Sequence, residues 1–206
     1  MKSHNDLTST ERKILEEKID IEFEKKILKP REEMVIEFLI KVLSFQYEFR
    51  TKRDTSQIKV ISLYYYASSP LSFLFVEPCY AFYSNEYTID RPELELEDYD
   101  YFDLEDLARN VLDESGIDYS DLDQNNRFDL AEFWENKAEL EKTFIFNCWK
   151  KAKSQTESKL IGFLDASDYS GGTYDLNNGK SLWEDKIEID DYLDKLGIKI
   201  NKEYNQ

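Results

Sequence analysis

The stretch Gln57-Ile-Lys-Val-Ile-Ser-Leu-Tyr-Tyr-Tyr66, Ala67-Ser-Ser-Pro70, Leu71-Ser-Phe-Leu-Phe-Val76 decides how the chain is read. Its outer parts are dense in β-branched and aromatic residues, which suit a pleated, half-buried surface, and the four residues between them have turn chemistry. Two strands, 57–66 and 71–76, joined as a hairpin are expected. In the second, Leu71, Phe73 and Phe75 alternate with Ser72, Leu74 and Val76, so both faces of the sheet are largely apolar and each should be covered over part of its area. Residues 60–76 are uncharged for 17 positions, but Ser62, Ser68, Ser69 and Pro70 interrupt the run. It reads as buried strands and not as a bilayer span.

Helical patterns flank this sheet. Thr8 or Ser9 suits the cap of a first helix with apolar positions at Ile14, Leu15, Ile19, Phe23 and Ile27. Pro30 suits the first turn of a second, in which Met34, Val35, Phe38, Leu39, Val42, Phe45 and Phe49 recur at helical spacing until Arg50 to Asp54 end it. Residues 104–112 read as a short helix stopping before Gly116. Asp129 and Glu132 form a capping-box pattern ahead of a long helix reaching Lys153, with Lys150, Lys151 and Lys153 placed to complement its dipole. Strands at 160–164 and 173–176, the turn Asn177-Asn178-Gly179, and a last helix ending at Gly197 complete the pattern. The residues 78–92 read as a loop or irregular strand.

The expected fold is α+β: one domain, N-terminal helices packed on a mainly antiparallel sheet, and a further long helix. Residues 1–29 could stand as a helical appendage, and 91–128 read as an acidic, insertion-like segment. A hydrophobic fraction of 41%, with 14 Tyr, 13 Phe and 3 Trp, supplies ample material for a core. Cys79 and Cys148 form no Cys-x-x-Cys pair and no disulfide framework. Together with the absence of an apolar run in Met1 to Lys13, this points to a cytoplasmic protein with no membrane association.

Charge is concentrated. The chain has 27 Lys and Arg against 44 Asp and Glu, a formal net charge of −17. Residues 91–141 hold 4 basic and 18 acidic groups, so 14 of the 17 excess negative charges lie there. Such a block attracts a cationic partner and repels phosphate backbones, which argues for a basic protein partner and against direct nucleic-acid binding. Glu93, Glu95, Glu97, Asp98, Asp100, Asp103 and Asp106 are the candidate partner-binding residues. A second reading makes the same acids a DNA mimic, inhibiting a nucleic-acid enzyme, if they are spread at phosphate-like spacing.

The sharpest motif is Asp121-Leu-Asp-Gln-Asn-Asn-Arg-Phe-Asp129-Leu-Ala-Glu132. Asp121, Asp123, Asn125, Asp129 and Glu132 fall where an EF-hand loop places oxygen ligands for Ca²⁺, and a calcium-binding module is one reading. Asn126 stands where that loop has glycine, and Gly116 lies where its incoming helix should be. Capping of the following helix by Asp129 and Glu132, with no cofactor, is preferred. The single His4 lies near the terminus, so His-dependent triads, shuttles and metal sites are not expected. No catalytic signature is complete, and the chain reads as non-enzymatic. Cys148, among Phe144, Ile145 and Trp149, reads as an inert core thiol, and Tyr64, Tyr65, Tyr66, Tyr80, Phe82, Tyr83 and Tyr87 as packing residues.

The hairpin Ile61-Ser-Leu-Tyr-Tyr-Tyr and Leu71-Ser-Phe-Leu-Phe, followed by Asn-Arg-Phe-x-x-x-Glu-Phe-Trp at 126–134, resembles small acidic bacterial domains, some of them similar to immunity proteins of polymorphic toxin systems. The resemblance spans about residues 31–165 and implies a cytoplasmic inhibitor that neutralises a toxin by occlusion. No single functional residue carries over from it.

Overall fold

The structure is a computed structural model that describes residues 2–3, 6–47, 58–65, 73–79, 93–95, 101–118, 130–166, 173–182 and 189–198. A short strand β1 (Lys2–Ser3) precedes helix α1 (Ser9–Phe23). Thr8 caps α1: its hydroxyl accepts from the Glu11 amide at 3.3 Å, and the Glu11 carboxylate accepts from the Thr8 amide at 2.8 Å. Two orphan amides are thereby satisfied at once.

The first two helices are joined without a loop. A π turn (Glu24–Leu28) and a 3-10 turn (Lys29–Arg31) lead directly into α2 (Glu32–Leu43). Pro30 explains the change of winding, since it has no amide to give to a helical ladder. The chain instead uses Lys29 N–H to Glu24 C=O and Glu32 N–H to Lys29 C=O. Leu15, Ile19, Phe23, Ile27 and Leu28 are buried, whereas Ile14 and Met34, counted above among the apolar positions, are about half exposed (48% and 49%).

Helix α2 also stops earlier than its periodicity suggests. It ends at Leu43, not near Arg50, because Phe45 takes a left-handed φ of 52°. The amide of Gln46 then reaches the Lys41 carbonyl at 2.9 Å and that of Phe45 the Val42 carbonyl at 3.1 Å. This is a Schellman end with phenylalanine where glycine is usual. A left-handed non-glycine residue costs roughly 1–2 kcal/mol. Phe45→Gly should therefore stabilise the protein by about 0.5–1 kcal/mol in urea denaturation, net of lost ring contact, while Phe45→Ala should not.

The hairpin is present as β2 (Val60–Tyr65) and β3 (Phe73–Cys79), antiparallel, with Leu63 opposite Val76. Residues 66–72, including the expected turn at Ala67 to Pro70, lie outside the described residues. After β4 (Glu93–Glu95) come α3 (Tyr101–Glu114), β5 (Ile117–Asp118), α4 (Leu130–Ser154), β6 (Ile161–Ala166), β7 (Tyr174–Asp175), β8 (Lys180–Ser181) and α5 (Ile189–Lys195). Gly116 ends α3 at φ 68° and Gly197 ends α5 at φ 75°, positions open to glycine at no steric cost.

Among the described residues six strands form one sheet in the order β4-β3-β2-β6-β7-β8. All neighbours are antiparallel except the central pair, where β2 runs parallel to β6 with Leu63 beside Leu164. A separate parallel pair joins β1 to β5. Each face of the large sheet is covered over part of its area, in keeping with the two-sided apolar pattern. Ile61, Leu63, Tyr65, Leu74, Val76 and Leu164 pack with residues of α1 to α4 in one core. Val60 and Phe163 face the other way and meet Leu182 and Leu193, the latter on α5. The Tyr65 hydroxyl donates to the Ala138 carbonyl at 3.3 Å, pinning β2 to α4.

Candidate interaction surface

The described parts of the acidic segment fall on β4, α3, β5 and the first half of α4. Among the described residues strand β4 forms an outer edge of the large sheet, with Glu93 in register with Phe75 and Glu95 with Phe73. Leu94 between them packs against the main core. Asp103 and Asp106 lie on α3, where Asp106, Asp113 and Glu114 are exposed while Leu107, Ala108, Val111 and Leu112 are buried. Of the candidate partner residues, Glu97, Asp98 and Asp100 lie outside the described residues. So do Asp121, Asp123, Asn125 and Asp129 of the calcium-like motif, whereas Glu132 lies in the first turn of α4. Among the described residues no group of three or more His, Cys, Asp or Glu could hold a metal ion.

Helix α4 shows how charge was sorted locally. Its 25 residues make a rod about 37 Å long. Glu132, Glu135, Glu139 and Glu141 occupy its first half, and Lys142, Lys150, Lys151 and Lys153 its second. That order suits the helix dipole at both ends.

Two charges of α4 are buried. Lys137 (2% exposed) and Glu141 (0% exposed) stand four residues apart, on the stripe that continues through Ile145, Cys148 and Ala152. Charges within an otherwise apolar i, i+4, i+8 stripe were the signal available in the sequence, and the reading above did not use it. The Lys137 ammonium donates to Asp20 Oδ1 of α1 and lies 5.5 Å from the centre of the Phe23 ring. Burial pulls its pKa down to about 8, against the opposing pull of Glu16 and Glu141.

A second buried carboxylate organises the far sheet edge. Asp175 (0% exposed) accepts from the Asn177 amide at 2.7 Å and from Asn177 Nδ2 at 2.6 Å, and also from the Tyr192 hydroxyl of α5. It thus holds the Asn-Asn-Gly turn and docks α5 against it, an Asx-turn role for a residue that the sequence reading treated only as part of a strand. Burial and then the Asp175 carboxylate push the Tyr192 phenol upward. Nearby, burial raises the Asp165 carboxyl, and the Thr173 hydroxyl, donating at 2.7 Å, works the other way.

Cys148 is buried, and desolvation, then Glu32, push its thiol up to about 12. It carries almost no thiolate at neutral pH, which leaves it inert as a nucleophile. Among the described residues no helix is long and apolar enough to cross a membrane.

No protein-family model, no curated protein and no solved structure matches the chain.

Proposed function

We propose that the protein is a non-enzymatic binding protein of immunity type, acting in the bacterial cytoplasm, whose acidic segment meets a basic partner protein such as a toxin. One observation carries this reading: 14 of the 17 excess negative charges fall in 51 consecutive residues, which include an outer strand of the sheet and an amphipathic helix with exposed acids. A concentration of charge of one sign raises the rate of encounter with an oppositely charged surface and makes it sensitive to salt. Buried aromatic anchors would then set the residence time.

The test is capture of a basic protein from the native host at low salt, compared with a variant carrying Glu93→Gln, Glu95→Gln, Asp103→Asn and Asp106→Asn. The association rate of the captured partner should fall about tenfold or more in the variant at low ionic strength, and the two proteins should converge in high salt. Recovery of no basic protein at low salt would remove the proposal.

A further inference from the structure

The turn between β7 and β8 carries reactive chemistry of its own. Its four residues, Leu176-Asn177-Asn178-Gly179, lie between the paired Asp175 and Lys180. When glycine follows asparagine, its backbone amide readily attacks the asparagine side chain, because no Cβ obstructs the five-membered ring that forms. Asn178 is exposed, and Gly179 stands at φ 76°, which glycine adopts without strain. The closed turn withholds both reactants. The Gly179 amide donates to the Asp175 carbonyl at 2.8 Å. Asn178 Oδ1 accepts from the Lys180 amide at 2.9 Å, and Asn178 Nδ2 donates to the Tyr192 hydroxyl of α5 at 3.2 Å. That hydroxyl in turn donates to Asp175 Oδ2, so one side chain of α5 ties down both the turn and the strand before it. Helix α5 is itself lightly held. Its seven residues fall short of the roughly 12–15 that an isolated helix needs, so its order comes from docking. The dock is the small second cluster, in which Leu193 meets Val60, Phe163 and Leu182, and the Tyr192 ring lies 6.2 Å from that of Phe163. Such an outlying cluster opens at lower cost than the main core.

We infer that Asn178 is a site of spontaneous deamidation guarded by α5, so that an opening of that helix can convert the turn irreversibly. With the guard open, the Gly179 amide gives its proton to water and its nitrogen bonds to Asn178 Cγ. The Cγ–Nδ2 bond breaks and ammonia leaves, closing an imide between residues 178 and 179. Water then adds to one of the two imide carbonyls. Cleavage of the new bond to Cγ leaves aspartate, and cleavage of the original bond to the main-chain carbonyl carbon leaves isoaspartate. The net change is one water consumed and one ammonia released, with nothing oxidised or reduced. Either product undoes the guard. A carboxylate at 178 has no proton to offer Tyr192, whose single hydroxyl proton already goes to Asp175, and it sets a second negative charge across that hydroxyl from the Asp175 carboxylate. Isoaspartate also lengthens the main chain by one methylene, which a four-residue connection cannot absorb while Asp175 stays in register with Lys180. Asn177 is spared, because no glycine follows it and its Nδ2 is held by Asp175 Oδ1 at 2.6 Å and the Gly162 carbonyl at 3.4 Å.

The experiment is peptide mass spectrometry of the full chain held in neutral buffer over days, with aspartate and isoaspartate peptides separated by chromatography against synthetic standards. Conversion at residue 178 should be slow in the wild type and fast in the chain unfolded by urea. It should quicken about two- to tenfold in Tyr192→Phe, which keeps the ring and removes the hydroxyl, because losing one or two hydrogen bonds raises the open population by that factor. Leu193→Ala, which loosens α5 through its apolar contacts, should quicken it as well. Amide hydrogen exchange should rise over residues 189–198 in both variants while α4 stays protected. Should either variant lose its fold, the wild type in sub-denaturing urea supplies the same comparison, with conversion at 178 rising in step with exchange over 189–198. A residue 178 that stays intact in both folded variants overturns the inference, and so does conversion at one rate in wild type and variants alike. Quickening in Tyr192→Phe with Leu193→Ala at the wild-type rate removes α5 as the guard. None of these outcomes involves the acidic segment, so they leave the basic-partner proposal to its own test.

Discussion

Trp149→Ala should cost about 3–5 kcal/mol, a large part of the total stability of a domain of this size. The indole lies on α4 in the main core, 1% exposed, and is packed against the one bare position of β6. A Cβ built on Gly162 would lie 2.5–2.8 Å from the ring atoms Cζ2, Cη2 and Cε2. Helix and sheet approach this closely only because residue 162 has no side chain. Gly162→Ala should accordingly destabilise the wild type by about 1–3 kcal/mol through overpacking. In a Trp149→Ala background the same methyl enters vacated space, and its cost should vanish or change sign. A double-mutant cycle read by urea denaturation and circular dichroism should return a coupling energy of about 1–3 kcal/mol. Additive effects would mean that the ring and the glycine do not touch.

The buried ammonium of Lys137 makes a second large prediction, in pH. Its pKa in the fold, about 8, lies below the ordinary value of 10.5. Below pH 8 both folded and unfolded chains hold the proton, so the cost of burying the charge is fully felt. Between about 8 and 10.5 the folded form has shed it while the unfolded chain keeps it. The unfolded state then binds more protons, and stability rises with pH. The gain is at most about 3 kcal/mol over that window, since Glu16 and Glu141 work against burial and keep the fall in pKa to that size. Urea midpoints at pH 7, 8, 9 and 10 should show the rise in the wild type and its loss in Lys137→Met. An equal rise in both proteins would assign it to other groups.

Much of the fold was readable because local chemistry and global packing agree. Thr8 with Glu11, Gly116, Gly197 and the alternation around Leu74 and Val76 each state their role in residue type alone, and the structure uses them so. The misreadings have physical causes. The apolar period of α2 continues past Leu43, but a left-handed Phe45 leaves the helix and nothing in its side chain announces that. Pro30 does stand at the entry to the second helix, and what its residue type leaves unsaid is that a π turn and a 3-10 turn join it to α1 without a break. Lys137 and Asp175 escaped notice because burial of a charge depends on partners from other elements, Asp20 and Tyr192, that sequence spacing does not bring together. The acidic block was evident from counting, and the fold adds that β4 carries part of it along an outer edge.

The parallel seam at the middle of the sheet has a consequence for how the protein is made. Val60 of β2 lies beside Ile161 of β6, about a hundred residues further along the chain. During synthesis the β2–β3 hairpin can close at once, but its inner neighbour leaves the ribosome only about 5–20 s later, at ordinary elongation rates. Until then the flank of β2, with Val60, Ile61, Leu63 and Tyr65, offers unpaired amides and carbonyls beside apolar side chains to any passing nascent chain. Chaperone demand and aggregation in overexpression should therefore track the interval before β6 emerges, and truncations ending before residue 166 should be the most prone to precipitate.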